Sequence, residues 1–378
     1  FDHRHIFLDP DPDPAKSWEE RNRLFQLPRS SWEDYDKSLI SKDGGVYPRT
    51  LKSIPLTPQV QSILGVTDTE MEPAALVGAI LKSPVDLLWF GGIGTYVKAA
   101  SQSQGDVGDP ANDRLRVNAE DLRVKVVGEG ANLGVTQAAR IAFSLRGGRI
   151  NTDFIDNSAG VDCSDNEVNI KIALNKEMIE GRLSFDARNK LLDSMTDAVA
   201  DIVLEDNRLQ VLGLSIAETG GAADLASYVR LIETFEESGR LDRQVEGLSS
   251  NDQLLRRGQD GLGLTRPELA VLLSTAKLAL QDAIEHGALA SDPTMVAELA
   301  AAFPPAMRKK EADAIAAHAL AKEIVATKVA NRIVNRLGLI HPFELTEEEG
   351  CSLPALASAF LIAERLYDIG TLWAAIDA

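Results

Sequence analysis

The sequence predicts an α/β domain on a parallel sheet over residues 1–175, followed by an all-α helical domain over 176–378. Three observations carry this expectation. Short apolar runs ending in glycine recur in the first half with helical patterns between them, the arrangement that gives parallel strands joined by crossover helices. From about Asn175 the strand signals stop and Ala, Leu and Glu dominate. Hydrophobic residues make up 44% of the chain, enough for two separate cores.

The strand candidates are residues 84–90, closed by Gly91 and Gly92; 123–127, closed by Gly128 and Gly130; and 149–155. Helical patterns fill 73–82 and 135–145. Upstream, Ser17-x-x-Glu20 and Ser30-x-x-Glu33 read as capping boxes, where hydroxyl and carboxylate satisfy free N–H groups of a first turn. The stretch 44–58, with Pro48, Pro55 and Pro58, reads as irregular, and 102–112 as an exposed loop. In the second half Thr265-Arg-Pro-Glu268 is a capping box with proline in the first turn. Leu269, Leu272, Leu273, Ala276, Leu280 and Ala283 then form one apolar stripe. Further helices are expected at 185–205, 311–337 and 353–373.

The bulk numbers narrow the function classes. A net charge of -18 makes phosphate backbones and anionic membranes poor partners. The longest apolar run, 353–363, is far short of the ~20 residues needed to cross a bilayer. Cys163 and Cys351 are the only cysteines and lie far apart, without disulfide or zinc spacing, which fits a reducing cytoplasm. Cys163 reads as a small buried hydrophobe, and His286, His318 and His341 as incidental. The chain opens on Phe1 with no visible signal peptide and reads as an internal piece of a longer protein.

The segment Gly128-Glu-Gly130-Ala-Asn-Leu-Gly134 follows a strand candidate and precedes a helix. In the dinucleotide fingerprint such glycines let the backbone approach a pyrophosphate at a helix N-terminus. Here the third glycine comes one residue late, so by itself the segment reads more readily as another strand-to-helix turn of the same sheet than as that fingerprint. Gly91-Gly92-Ile-Gly94 is a weaker case. Both turns sit at carboxyl ends of strands, where open α/β sheets bind ligands.

Two segments together carry a family resemblance. Residues 128–137 (GEGANLGVTQ) and 153–164 (DFIDNSAGVDCS) resemble, in order and separation, the Glu-Gly-Ala-Asn turn and the Asn-Ala-Gly-Gly-Val-x-x-Ser motif of glutamate dehydrogenases. Residues 84–92 (PVDLLWFGG) are similar to the preceding strand of that family. The opening FDHRHIFLDPDPD and the segment WEERNRLF are similar to its large-subunit bacterial, NAD-dependent branch. The chain departs from the small hexameric enzymes at Leu133–Thr136, at Ala159-Gly160 and at Asp165-Asn166. The resemblance covers residues 1 to about 180.

The resemblance implies a Rossmann-like first domain, incomplete at its N-terminus, and oxidative deamination of L-glutamate to 2-oxoglutarate and ammonia with hydride transfer to NAD. The residues it places at the cofactor are Asp2, Gly91, Gly92, Gly130, Asn132 and Asn157. Asp2 would accept from the adenosine ribose hydroxyls, a carboxylate there favouring NAD over NADP. Asn132 would face the nicotinamide ribose and the substrate, and Asn157 would hold the carboxamide. Either asparagine reads alternatively as a turn residue bonded to its own backbone. Ser164 would bind the side-chain carboxylate of glutamate, yet Ser164-x-x-Glu167 also reads as a capping box. The lysine and aspartate the reaction requires belong, by the resemblance, upstream of Phe1, so no catalytic residue is assigned and the isolated piece is expected to be inactive. Two other readings stay open: a non-catalytic helical assembly module in a homo-oligomer, and a dehydrogenase for another amino acid.

Overall fold

In the computed structural model, which describes residues 1–377, a parallel sheet is present in the first half but short. Its strands are β1 (Leu87–Phe90), β2 (Val126–Glu129) and β3 (Arg149–Ile150), in that order and all parallel. Helix α1 (Pro73–Leu81) precedes β1, and α2 (Gln137–Leu145) links β2 to β3. Thr136 starts α2 by accepting from the Ala139 N–H. The period of two along each strand decides the faces. Phe90, Val127 and Ile150 enter a core with Leu76, Val97, Val135 and Phe143. Leu87 and Trp89 point the other way and are 55% and 58% exposed, so one apolar sheet face is bare.

Several expected elements differ, each for a local reason. The third strand ends at Ile150, because Ile155 and Asp156 donate their N–H groups to the Thr152 carbonyl and close a helical turn instead. Residues 44–58 are partly ordered as strands: Gly45–Pro48 pairs antiparallel with His5–Leu8, and Ile54–Pro55 with Glu70–Met71. Pro48 and Pro55 end these strands, where a missing N–H costs the ladder nothing. The first capping box fails because Pro14 starts its helix earlier: Asp13 caps Pro14–Phe25 through the Ala15 and Lys16 N–H groups. Glu20 is consequently buried inside that helix, bonded to Arg23 and to the Asp36 N–H. Ser31, not Ser30, caps the short helix Trp32–Asp34.

The chain divides into two compact units, Phe1–Asp156 and Asn157–Ala378. In the second, every described regular element is helical. Helix α3 (Ser158–Ile179) runs unbroken through residue 175, where composition places the change, and its buried Asn166, Ile170, Ala173 and Leu174 pack within the helical unit. Next come α4 (Thr196–Thr219), α5 (Arg266–His286) and α6 (Ala321–Leu337). The capping box of α5 is formed, with Glu268 accepting the Thr265 N–H at 2.7 Å. The predicted stripe is buried, except that Ile284 replaces Ala283 in the core.

The other long helices break where a side chain or backbone angle demands it. The 185–205 pattern splits at Met195, which is buried. The 353–373 pattern splits at Asp368, which has a positive φ of 49°. The 311–337 pattern splits around His318, which is structural and not incidental: buried, it holds the Asn169 carbonyl through Nε2 and accepts the Leu320 N–H at Nδ1. Among the described residues no helix is long and apolar enough to cross a membrane.

Candidate functional site

The glycine turn leaves β2 beside the carboxyl end of β1. Trp89 lies opposite Gly128 and Phe90 opposite Glu129, and the Ala131 N–H returns to the Phe90 carbonyl at 3.0 Å. This brings Gly91, Gly92, Gly130 and Asn132 to one end of the sheet. The glycines are needed there for a reason the sequence does not reveal. A β-carbon on Gly128 would lie 2.6 Å from the Trp89 ring, and one on Gly130 closer still, so the indole lies flat on the turn backbone. At Gly92 a β-carbon would meet nothing within 4 Å.

The turn is held from beneath by buried charge. Glu129, fully buried, takes the Arg140 guanidinium in a two-point contact at 2.7 and 2.9 Å and accepts the Val135 N–H at 3.0 Å. Arg140 also reaches Asp153 at 3.1 Å. Asp153 accepts the Leu133 N–H at 2.8 Å, and Asp156 accepts the Glu129 N–H at 2.8 Å. Two acids of the second motif, Asp153 and Asp156, therefore grip the backbone of the first. Burial pushes the Glu129 carboxyl above its ordinary value against the pull of Arg140. Burial also opposes charge on Arg140, but the bonds and charges of Glu129 and Asp153 outweigh it and hold the guanidinium protonated. Sequence reasoning missed Glu129, Arg140, Asp153 and Asp156. The available signal was Arg140 itself, a charge set between Ala139 and Ile141 on the apolar face of a helix.

Residues 1–217 match the family described as the catalytic domain of bacterial NAD-glutamate dehydrogenase. The chain belongs to the bacterial NAD-glutamate dehydrogenase family. Residues 261–378 match the family described as the glutamate dehydrogenase C-terminal region. The chain is similar to proteins named NAD-specific glutamate dehydrogenase from Pseudomonas aeruginosa (47% identical, 98% of this chain, 23% of the relative) and Mycobacterium tuberculosis (46% identical, 100% and 24%). A third, from Halomonas elongata, is 44% identical over 100% of this chain and 23% of its own length. The chain thus spans about a quarter of these relatives.

The remaining residues that the glutamate dehydrogenase resemblance singles out belong to other elements. In the first unit, Asp2 Oδ1 accepts the Arg4 and His5 N–H groups at 2.7 and 2.6 Å, while Oδ2 has one long contact, 3.4 Å, from the Trp32 N–H. Burial works against the charge of Asp2, but these backbone donors prevail and hold its carboxyl below the ordinary value. In the second unit, Asn157 occupies the N-cap position of α3. Ser164 does not cap a helix. It lies in the second turn of α3, exposed, with its hydroxyl donating to the Gly160 carbonyl at 3.1 Å, because the helix has already begun at Ser158. Glu167 pairs with Lys171 one turn on. Cys163 is exposed, not buried, since the core face of α3 runs through Asn166, Ile170 and Leu174.

Behind that exposed face a layer of polar side chains joins α3, α4, α5 and α6. Ser158 donates to Asn207 at 2.6 Å, Lys277 to Gln210 at 2.9 Å and Lys328 to Asp206 at 2.6 Å. Burial, then the nearby Asp206, pushes the Asp162 carboxyl up to about 6, and burial lowers Lys277 to about 8. A carboxyl raised in the folded state contributes stability below its unfolded value of 3.8 and loses it as pH climbs through about 6. Asp162→Asn should therefore match the parent in melting temperature near pH 4 and exceed it at pH 7. The gain is on the order of 1 kcal/mol after discounting for solvent screening. Thermal melts at both pH values check this, and an equal difference at each would rule it out.

Proposed function

We propose that this chain forms the C-terminal part of an NAD-dependent glutamate dehydrogenase that oxidatively deaminates L-glutamate to 2-oxoglutarate and ammonia. Family membership carries the reading. The glycine turn, clamped at the carboxyl ends of parallel strands, supports it. The first unit is read as a Rossmann-like domain, and its bare apolar face at Leu87 and Trp89 supports coverage by further layers. In this reading residues 1–175 serve the cofactor and 176–378 form the helical domain, so the first turns of α3 fold with the helices while working for the cofactor.

The residues present fit NAD. Trp89, Ile93 and Leu133 expose aromatic and aliphatic surface near the strand ends, suited to a nicotinamide or adenine ring. The open space at Gly92 and the backbone at Gly91 and Gly130 suit close approach of a phosphate or ribose. NAD, when bound, accepts the hydride from the α-carbon of glutamate. This chain's residues orient the reactants: Asn157 holds the carboxamide, Asn132 faces the ribose and substrate, Asp2 Oδ2 accepts from the adenosine ribose, and Ser164 donates to the substrate's side-chain carboxylate. The lysine that polarises the carbon under attack and the aspartate that handles protons come from elsewhere in the protein. We place the enzyme in the cytoplasm as a homo-oligomer, and the exposed Ile362, Leu366 and Tyr367 support a subunit-contact role for the helical domain.

Asn157→Ala tests the reading in the intact enzyme. One lost orienting hydrogen bond, about 1–1.5 kcal/mol, should lower turnover roughly tenfold. The Michaelis constant for NAD should change less. Steady-state kinetics showing a raised constant with unchanged turnover would make Asn157 a simple affinity contact.

A further inference from the structure

We propose that Asp153 is a positioning residue for the reaction: by gripping the Leu133 N–H it fixes the peptide that carries Asn132 toward the reactants. This rests on the reading of the 128–134 turn as part of the cofactor site.

Leu133 has a φ of 61°, in the left-handed region that its β-carbon disfavours. Its side chain is 64% exposed, so packing does not impose that angle. A strained backbone persists where its surroundings over-determine it. The restraint visible here is the 2.8 Å bond from the Leu133 N–H to Asp153 Oδ2. Because the peptide bond is planar, holding the N–H of residue 133 also fixes the carbonyl of Asn132 and the direction in which its α-carbon leaves the turn.

Asp153 is suited to the task because it cannot swing. It is buried, its other oxygen meets Arg140 at 3.1 Å, and that oxygen also accepts the Phe154 N–H at 2.9 Å. Arg140 is locked in turn by Glu129. The opposite end of the turn is fixed by Asp156 through the Glu129 N–H. The three residues between, Gly130, Ala131 and Asn132, are presented by two anchored peptides. Such placement matters to rate, since a misplacement of about 1 Å can cost about 100-fold.

The test uses the intact enzyme with Asp153→Asn, Asp153→Ala and Asn132→Ala. The asparagine variant keeps a carbonyl acceptor for the Leu133 N–H and should hold turnover within about threefold, whereas alanine should lose at least about tenfold. The Michaelis constant for NAD should move less than turnover in both. A merely structural role would instead make turnover follow the melting temperature. Should the alanine variant not fold, the comparison is made with Asp153→Leu. Equal turnover in the asparagine and alanine variants would overturn the proposal, provided Asn132→Ala itself is impaired. Full activity of Asn132→Ala would instead remove the reading of the turn on which the proposal rests.

Discussion

Glu129→Leu is expected to destabilise the first unit by about 3–5 kcal/mol, the cost of breaking a buried ion pair by removing one partner. The leucine fills much of the same volume, so the penalty comes from charge and hydrogen bonding. Arg140 keeps its contact to Asp153 and a long bond to Gln137, and the Val135 N–H loses its acceptor in a buried site. Because the same carboxylate braces the glycine turn, the loss should appear in the first unit's transition and leave the helical unit's melting unchanged. Denaturant titration followed by Trp89, which lies against that turn, reads the first transition. A cost below about 1 kcal/mol would show that Arg140 re-pairs elsewhere and that the triad does not hold the turn.

Ser164→Asp should lower kcat/KM for glutamate by at least about 100-fold, roughly 2.7 kcal/mol of transition-state stabilisation. In the proposed role of Ser164, the substitution removes the hydroxyl donor and sets a like charge against the substrate's side-chain carboxylate. It should leave stability nearly unchanged. Ser164 is exposed in the second turn of α3 and caps nothing, and the bond it loses, to the Gly160 carbonyl, is a local one. Glutamate kinetics and a melting curve on this variant separate the possibilities. Full activity would remove Ser164 from the substrate site, and lost activity with an equally lost fold would make the effect structural.

Much of the chain's organisation was legible because it depends on local patterns. The glycine-closed apolar runs placed β1 and β2 within a few residues, and the stripe from Leu269 to Leu280 identified the most buried helix. Periodicity and turn chemistry act over a few residues, so one sequence displays them. The family resemblance was legible for the same reason, its two motifs being short and contiguous. Boundaries and caps were less so. Ser17 and Ser164 each satisfy the spacing of a capping box, but Pro14 and Ser158 had already begun their helices.

What the sequence by itself determined is the order of the main strands and helices, the acidic surface and the family. Only the tertiary structure decided what holds the site. Glu129, Arg140, Asp153 and Asp156 are spread over 28 residues and three elements, and nothing in their spacing announces that they meet. They are brought together by the parallel pairing of β2 with β3, and burial then forces each charge to find a partner. Tertiary contact likewise gives Gly128 and Gly130 their immediate reason, since the indole that excludes a β-carbon at each belongs to the neighbouring strand. The physical reason is general: local preference is set by a residue and its near neighbours along the chain, whereas burial depends on neighbours in space.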